Sequence, residues 1–239
     1  MISVCIASYN GERYIKEQLS SILKQLGKED ELIVSDDAST DKTANLIQDL
    51  NDERIKLIIG PRRGPVKNFE NALLHSKGDF IFLSDQDDVW LDGKVSTMMD
   101  ALEDCDLVLS DCKIVNTRLK ITNPSYFSIL PPKTGVLNNL IRNHYLGCCL
   151  AFNRKVLDFS LPFPKNIVMH DIWLGLCANT IGKVKIVKEP LMLYRRHDKA
   201  VSFAAGVSEN TLGYKIMYRC QIFFSLIRRF VERRIINKK

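Results

Sequence analysis

The tetrapeptide Asp85-Gln86-Asp87-Asp88 carries the strongest chemical signal in this 239-residue chain. It follows the apolar run Phe80–Ser84, so the acids should open into a cleft at the end of a strand. Acids spaced by one residue, with a third adjacent, can hold a hard divalent cation. Positions then remain for water and phosphate oxygens. Such oxygen ligation fits Mg2+ or Mn2+, whereas zinc would ask for His or Cys. The EF-hand pattern, with its central glycine and terminal glutamate, is absent.

Polar and acidic residues follow other apolar runs as well. Ser8-Tyr9-Asn10 follows Ile2–Ala7, Asp36-Asp37-Ala38-Ser39-Thr40-Asp41 follows Leu32–Ser35, and Asp111 follows Leu107–Ser110. An Asp or Thr after a strand often caps the next helix, and Asp41 or Thr40 fits that role. Repeated acidic clusters at strand ends go beyond capping, because their repulsion is costly without a cation or hydrogen-bond donors.

The elements that must position these residues alternate in type. The apolar runs, with Ile55–Ile59 among them, are separated by helix-like spacing over Glu12–Leu26, Thr40–Leu50, Val66–His75 and Gly93–Leu102. Continuous apolar strands separated by helices predict an α/β fold with a mostly parallel sheet, helices on both faces, and ligands at the carboxyl ends of the strands. The second half is less regular. Residues 117–135 hold three prolines and read as a long, mobile loop. Next come a helix over Val136–Asn143, a strand over Gly147–Phe152, a helix from near His170 and strands over Val184–Val187 and Leu191–Tyr194.

Composition excludes several classes. The seven cysteines form no C-x-x-C pair, which supports neither a disulfide framework nor a zinc site and reads as reduced thiols in a cytosolic protein. The first residues read as a strand, not a signal peptide, and no run reaches the about 18 apolar residues of a membrane span. The net charge of +6 is local: eight Lys/Arg and one acid from Leu212 onward leave the rest at −1, so nucleic-acid binding has no charge support. The Rossmann, P-loop and nucleophile-elbow glycine patterns are all missing.

Ser8-Tyr9-Asn10, Val34-Ser35-Asp36-Asp37 with Asp41, and Leu83-Ser84-Asp85-Gln86-Asp87-Asp88 together resemble the family 2 glycosyltransferases of the GT-A (nucleotide-diphospho-sugar transferase) fold, over about residues 1–200. The resemblance implies that Ser8, Tyr9 and Asn10 contact base and ribose, and that Asp36 or Asp37 accepts a hydrogen bond from a pyrimidine. It implies that Asp85, Asp87 and Asp88 bind ribose and metal, with Asp87 the first choice of ligand. Gly147–Arg154 resembles the glycine-led strand lining the donor-sugar and acceptor site. His170-Asp171 resembles the pair whose aspartate is the catalytic base, and Asn68 is a candidate donor contact. Tyr194-Arg195-Arg196-His197 resembles a segment closing over the diphosphate, which makes Arg195 a donor contact and His197 a metal ligand. Asp-Gln-Asp-Asp-Val-Trp with Tyr-Arg-x-His is most similar to the bacterial rhamnosyltransferase-like subgroup. Ser35-Asp36-Asp37-Ala38 departs from the commoner Val-Asp-Asp-Gly.

The activity implied by this resemblance is an inverting, metal-dependent transfer of a sugar, rhamnose by resemblance, from a dTDP- or UDP-sugar to a saccharide or lipid-linked glycan acceptor. The division is a catalytic domain over 1–205 and a basic amphipathic helical segment over 206–239. There Ile216, Cys220, Phe223, Ile227 and Phe230 share a stripe flanked by Lys215, Arg219, Arg229 and Arg233. Such a helix lies on the inner face of a membrane, packs on the domain, or pairs in a homodimer. The competing readings are a nucleotidyltransferase, disfavoured because Ser8–Gly11 is not a glycine-rich basic loop, and an inactive nucleotide- or glycan-binding module.

Overall fold

The computed structural model describes residues 1–196 and 211–236, so His197 and the boundary at 205/206 lie outside the described residues. Ile2–Ser8, Glu31–Asp36, Ile55–Ile59 and Phe80–Asp85 form β1 to β4. Val89–Trp90, Leu107–Val115, Ile121–Asn123, Leu150–Asn153 and Val184–Arg195 form β5 to β9. The helices are α1 (Ile15–Leu23), α2 (Thr43–Gln48), α3 (Pro65–His75), α4 (Lys94–Leu102), α5 (Val136–Ile141), α6 (Arg154–Ser160), α7 (His170–Ile181) and α8 (Leu212–Ile236).

The sheet runs β3-β2-β1-β4-β8-β6-β9-β5, with β7 paired to β6. It is parallel through β3-β2-β1-β4, as continuous apolar runs such as Ile2–Ile6 and Leu32–Val34 require when both faces are covered. Beyond β4 it is mixed: β8 lies antiparallel between β4 and β6, while β6 and β9 are parallel. The packing helices bury one stripe each, Ile15, Leu19 and Ile22 on α1 and Phe69, Ala72 and Leu73 on α3. Helix α7 is buried all along Ile172–Ala178 and forms the centre of the second half.

Three expectations change. β6 does not end at Ser110 but continues to Val115, with irregular pairing to β9 around Asp111, so Asp111 lies within a strand. Its carboxylate accepts from Ser125 Oγ at 2.5 Å and Phe127 N at 3.0 Å, which pins the segment read as a mobile loop. That segment contains β7 and a 3-10 turn at Tyr126–Ser128, with Tyr126 and Leu130 buried. The runs at Val184–Val187 and Leu191–Tyr194 are one strand, β9, interrupted in register where Pro190 cannot donate to the ladder.

Candidate active site

Parallel pairing brings three strand ends together. Ser8 lies opposite Asp36, and Ala7 opposite Asp85, so the motifs after β1, β2 and β4 share one edge. At the β2 end the carboxylates are saturated with donors. Asp36 accepts from Ser8 Oγ (2.8 Å), Ser39 N (2.9 Å) and Ser39 Oγ (2.6 Å). Asp37 accepts from Arg62 N (2.5 Å) and Gly64 N (2.9 Å), which fixes the loop before α3. Asn10, at φ 48°, donates through its backbone to Ser39 Oγ, and its side chain accepts from Thr40 N, both at 2.8 Å. Asp41 does the capping work expected of it, accepting from Thr43 N at 2.9 Å.

Gln86, which sequence reasoning passed over, joins the β1 and β4 ends. Its amide accepts from Tyr9 N at 2.9 Å and donates to Tyr9 O at 3.0 Å, pairing like a short strand. Gly11 makes room for it, since a Cβ there would stand 2.4 Å from Gln86 Oε1. Tyr9 is thereby held 56% exposed, offering an aromatic face on which a base can stack. Asn68 does not face solvent. It is 1% exposed, and its amide donates to Ser8 O (3.2 Å) and Ser35 O (2.8 Å), stapling β1 to β2 beneath the edge.

The turn after β4 is the opposite case. Oxygens of Asp85 and Asp88 and the Cys148 sulfur lie within 4.8 Å of one another. Burial and the neighbouring Asp87 charge push the Asp85 carboxyl up to about 7. Burial, Asp87 and Asp85 raise Asp88 well above the carboxylate range. Asp88 Oδ1 accepts from Arg195 N at 2.9 Å, but among the described residues its buried Oδ2 has no partner. Crowded carboxylates with an orphaned oxygen fit a hard divalent cation. Burial raises the Cys148 thiol, so it stays neutral beside Asp85 and is a poor ligand for such an ion. Beneath the turn, the fully buried Lys94 donates to Cys148 O at 3.2 Å and lies 5.1 Å from the Trp90 ring centre.

Arg195 corrects an expectation. It is 3% exposed and donates to Asp87 O (2.7 Å), Thr117 O (3.0 Å) and Glu17 (2.5 Å), with its guanidinium over Tyr14. It holds the acidic turn against β9 and does not face a diphosphate, whereas its neighbour Arg196 is exposed.

Asp171 stands in the first turn of α7. Its carboxylate accepts from Ile172 N at 2.7 Å and from Asn143 Nδ2 at 3.2 Å, yet burial outweighs both and raises it to about 6. Its charge is among those that raise Asp85, so acid turn and α7 share one space. His170 stacks on Phe69, with ring centres 4.1 Å apart, and burial lowers it to about 4, leaving it neutral. Gly147 has to be glycine: a Cβ would lie 2.7 Å from His170 Nε2, which has no partner among the described residues. Trp90 and Trp173 are both core residues, and Trp173 donates to Ser160 O at 2.9 Å.

A half-parallel sheet, an acidic turn after β4 and a carboxylate at the start of a buried helix make up a fold of the GT-A class. The fold matches the crystal structure of S. aureus TarS 1-349 with a TM-score of 0.64 at 24% identity, over 81% of this chain and 60% of that one. The mannosyltransferase PcManGT from Pyrobaculum calidifontis, in complex with GDP-Man and Mn2+, matches with a TM-score of 0.58 at 18% identity, over 95% of this chain and 64% of that one. The family model for glycosyl transferase family 2 matches residues 3–159. The chain belongs to that family and is a glycosyltransferase. It is 30% identical to the Escherichia coli UDP-Glc:alpha-D-GlcNAc-diphosphoundecaprenol beta-1,3-glucosyltransferase WfgD over 74% of this chain and 69% of WfgD. It is 27% identical to the Shigella flexneri dTDP-rhamnosyl transferase RfbG, over 81% of this chain and 72% of RfbG.

Proposed function

We propose that the chain is an inverting, divalent-cation-dependent glycosyltransferase that moves a sugar from a UDP- or dTDP-sugar to a saccharide or lipid-linked glycan acceptor in surface polysaccharide assembly. The observation that carries the reading is the pairing of an undersatisfied acidic turn with a raised carboxylate, Asp171, in the same space. Mn2+ in the PcManGT complex and the lipid-linked and rhamnosyl substrates in the names of WfgD and RfbG support it further.

In this reading Tyr9 stacks on the base, and the backbone held by Asp36 and Asp37 frames the nucleoside, with either carboxylate accepting from the pyrimidine. Asp87, with oxygens of Asp85 and Asp88, would hold Mg2+ or Mn2+, and His197 would join from its segment. When bound, the cation neutralises charge developing on the departing diphosphate. Asp171 takes the proton of the acceptor hydroxyl, with Asn143 fixing its carboxylate and His170 and Gly147 shaping the floor beneath. A single base opposite the leaving group gives inversion. The proposed division assigns residues 1–205 to the catalytic domain and 206–239 to an appended segment, of which α8 lies on the domain.

Thermal stability with UDP, dTDP or GDP, each with Mn2+, Mg2+ or chelator, tests the donor class. A nucleotide at one hundred times its Kd should stabilise by about 2.7 kcal/mol, or roughly 5–11 °C. A cation-dependent shift with one pyrimidine diphosphate supports the reading; a shift with none, in folded protein, would contradict it.

A further inference from the structure

Helix α8 does not use its basic flank in the way its sequence suggests. Arg219 donates to Leu140 O (2.8 Å) and Ile141 O (2.6 Å) at the end of α5. Arg229, 9% exposed, donates to Phe159 O (2.7 Å) and Leu161 O (2.9 Å) beyond α6, and Arg233 donates to Leu161 O at 2.9 Å. Helix carboxyl ends carry unsatisfied carbonyls and partial negative charge, so these guanidiniums fasten α8 to the domain. With Ile222 and Leu226 they make its inner face.

Phe230 of the apolar stripe packs against the core, but most of the stripe is left outside. Ile216, Phe223, Phe224, Ile227, Val231 and Ile235 are between 39% and 66% exposed and recur at helical spacing. The patch continues off the helix. Leu137 and Ile141 of α5 are 75% and 70% exposed, and Val168 and Met169, just before the first turn of α7, are 49% and 39% exposed. Arg219 ties α8 to α5, and α8 also packs on α7, whose first turn Val168 and Met169 precede. A patch of this extent, beside a catalytic opening, needs a partner.

The surrounding charge chooses the partner. Lys133, Arg142, Lys165, Arg228 and Arg234 are exposed on these segments, while Glu232, bonded to Arg228 at 2.7 Å, is the one acid within 133–143, 161–169 and α8. A second copy meeting this stripe about a twofold axis would set positive against positive. Anionic lipid headgroups match the sign, and apolar and aromatic side chains rimmed by basic ones suit a bilayer interface. None of the described helices is long and apolar enough to cross a membrane, so the helix would lie upon it.

We propose that α5, the Val168–Met169 segment and α8 form a composite surface that docks on an anionic phospholipid bilayer and presents the Asp171 side of the site to it. The inference does not depend on the transfer reaction, and activity is not its readout. The test is co-sedimentation of the full chain with phosphatidylcholine vesicles and with vesicles enriched in phosphatidylglycerol, beside Phe224→Ser/Ile227→Ser and Leu137→Ser/Ile141→Ser. Binding to the anionic vesicles should weaken with salt and fall about tenfold or more in either variant, tenfold being about 1.4 kcal/mol. Circular dichroism and melting establish that the variants are folded. Equal binding to neutral vesicles, parental binding by both variants, or no binding by the parent would overturn the proposal. Concentration-dependent dimers lost in the same variants, without vesicle binding, would assign the face to a second copy instead.

Discussion

The β2 edge and the β4 turn are built from the same residue type at equivalent strand ends, yet they stand in opposite states. Asp36 and Asp37 accept five hydrogen bonds between them, from Ser8, Ser39, Arg62 and Gly64. Asp85 and Asp88 crowd one another, are raised by burial, and leave an oxygen without a donor among the described residues. Hydrogen bonding favours a carboxylate's charged form, and burial with like charge disfavours it. The first pair therefore holds the fold in shape, and the second keeps a place for positive charge.

Asparagine or alanine should separate the two states. Asp88→Asn keeps the acceptor for Arg195 N but removes the carboxylate that a cation would draw into its charged form. Transfer should fall by about a hundredfold or more, and the cation-dependent nucleotide shift should vanish. Melting of the cation-free protein should be unchanged or higher, because burial already disfavours the charged form of Asp88 there. Steady-state transfer and differential scanning calorimetry check both halves; lower stability together with normal transfer would break the comparison. At the β2 edge the sign reverses. Asp37→Ala strands the Arg62 and Gly64 amides and should cost about 1–3 kcal/mol in urea unfolding.

The smallest effect concerns the tuning of Asp171 by Asn143. A base must be unprotonated, and burial raises this carboxyl to about 6, so the rate should rise with pH and reach half its plateau near that value. Asn143→Ala removes a hydrogen bond to the charged form and should move the acidic limb upward, with less effect on the plateau. A limb unmoved in that variant would rule out Asn143 as the group that tunes the base.

Apolar runs of strand length made the parallel half of the sheet legible, and with it the gathering of Ser8, Asp36 and Asp85 at one edge. Partnership was not legible. Asp37 meets donors more than twenty residues away, and Gln86 meets Tyr9 across 77. The spacing in Tyr194-Arg195-Arg196 did not tell which arginine turns inward, and tertiary packing chose Arg195. Asp111 read as a strand end because a bulge and a buried carboxylate are not encoded in local hydropathy. The amphipathy of α8 was legible; that Arg219, Arg229 and Arg233 turn inward depends on carbonyls at the ends of α5 and α6.

If Asp171 is the base and the acidic turn is the donor site, binding and chemistry must separate in one variant. Nucleotide affinity with Mn2+ and sugar transfer, measured side by side in the parent and in Asp171→Asn, test this most directly. The expected result is parental nucleotide affinity with transfer slower by about a hundredfold or more. Transfer near the parental rate in the purified, folded variant would contradict it.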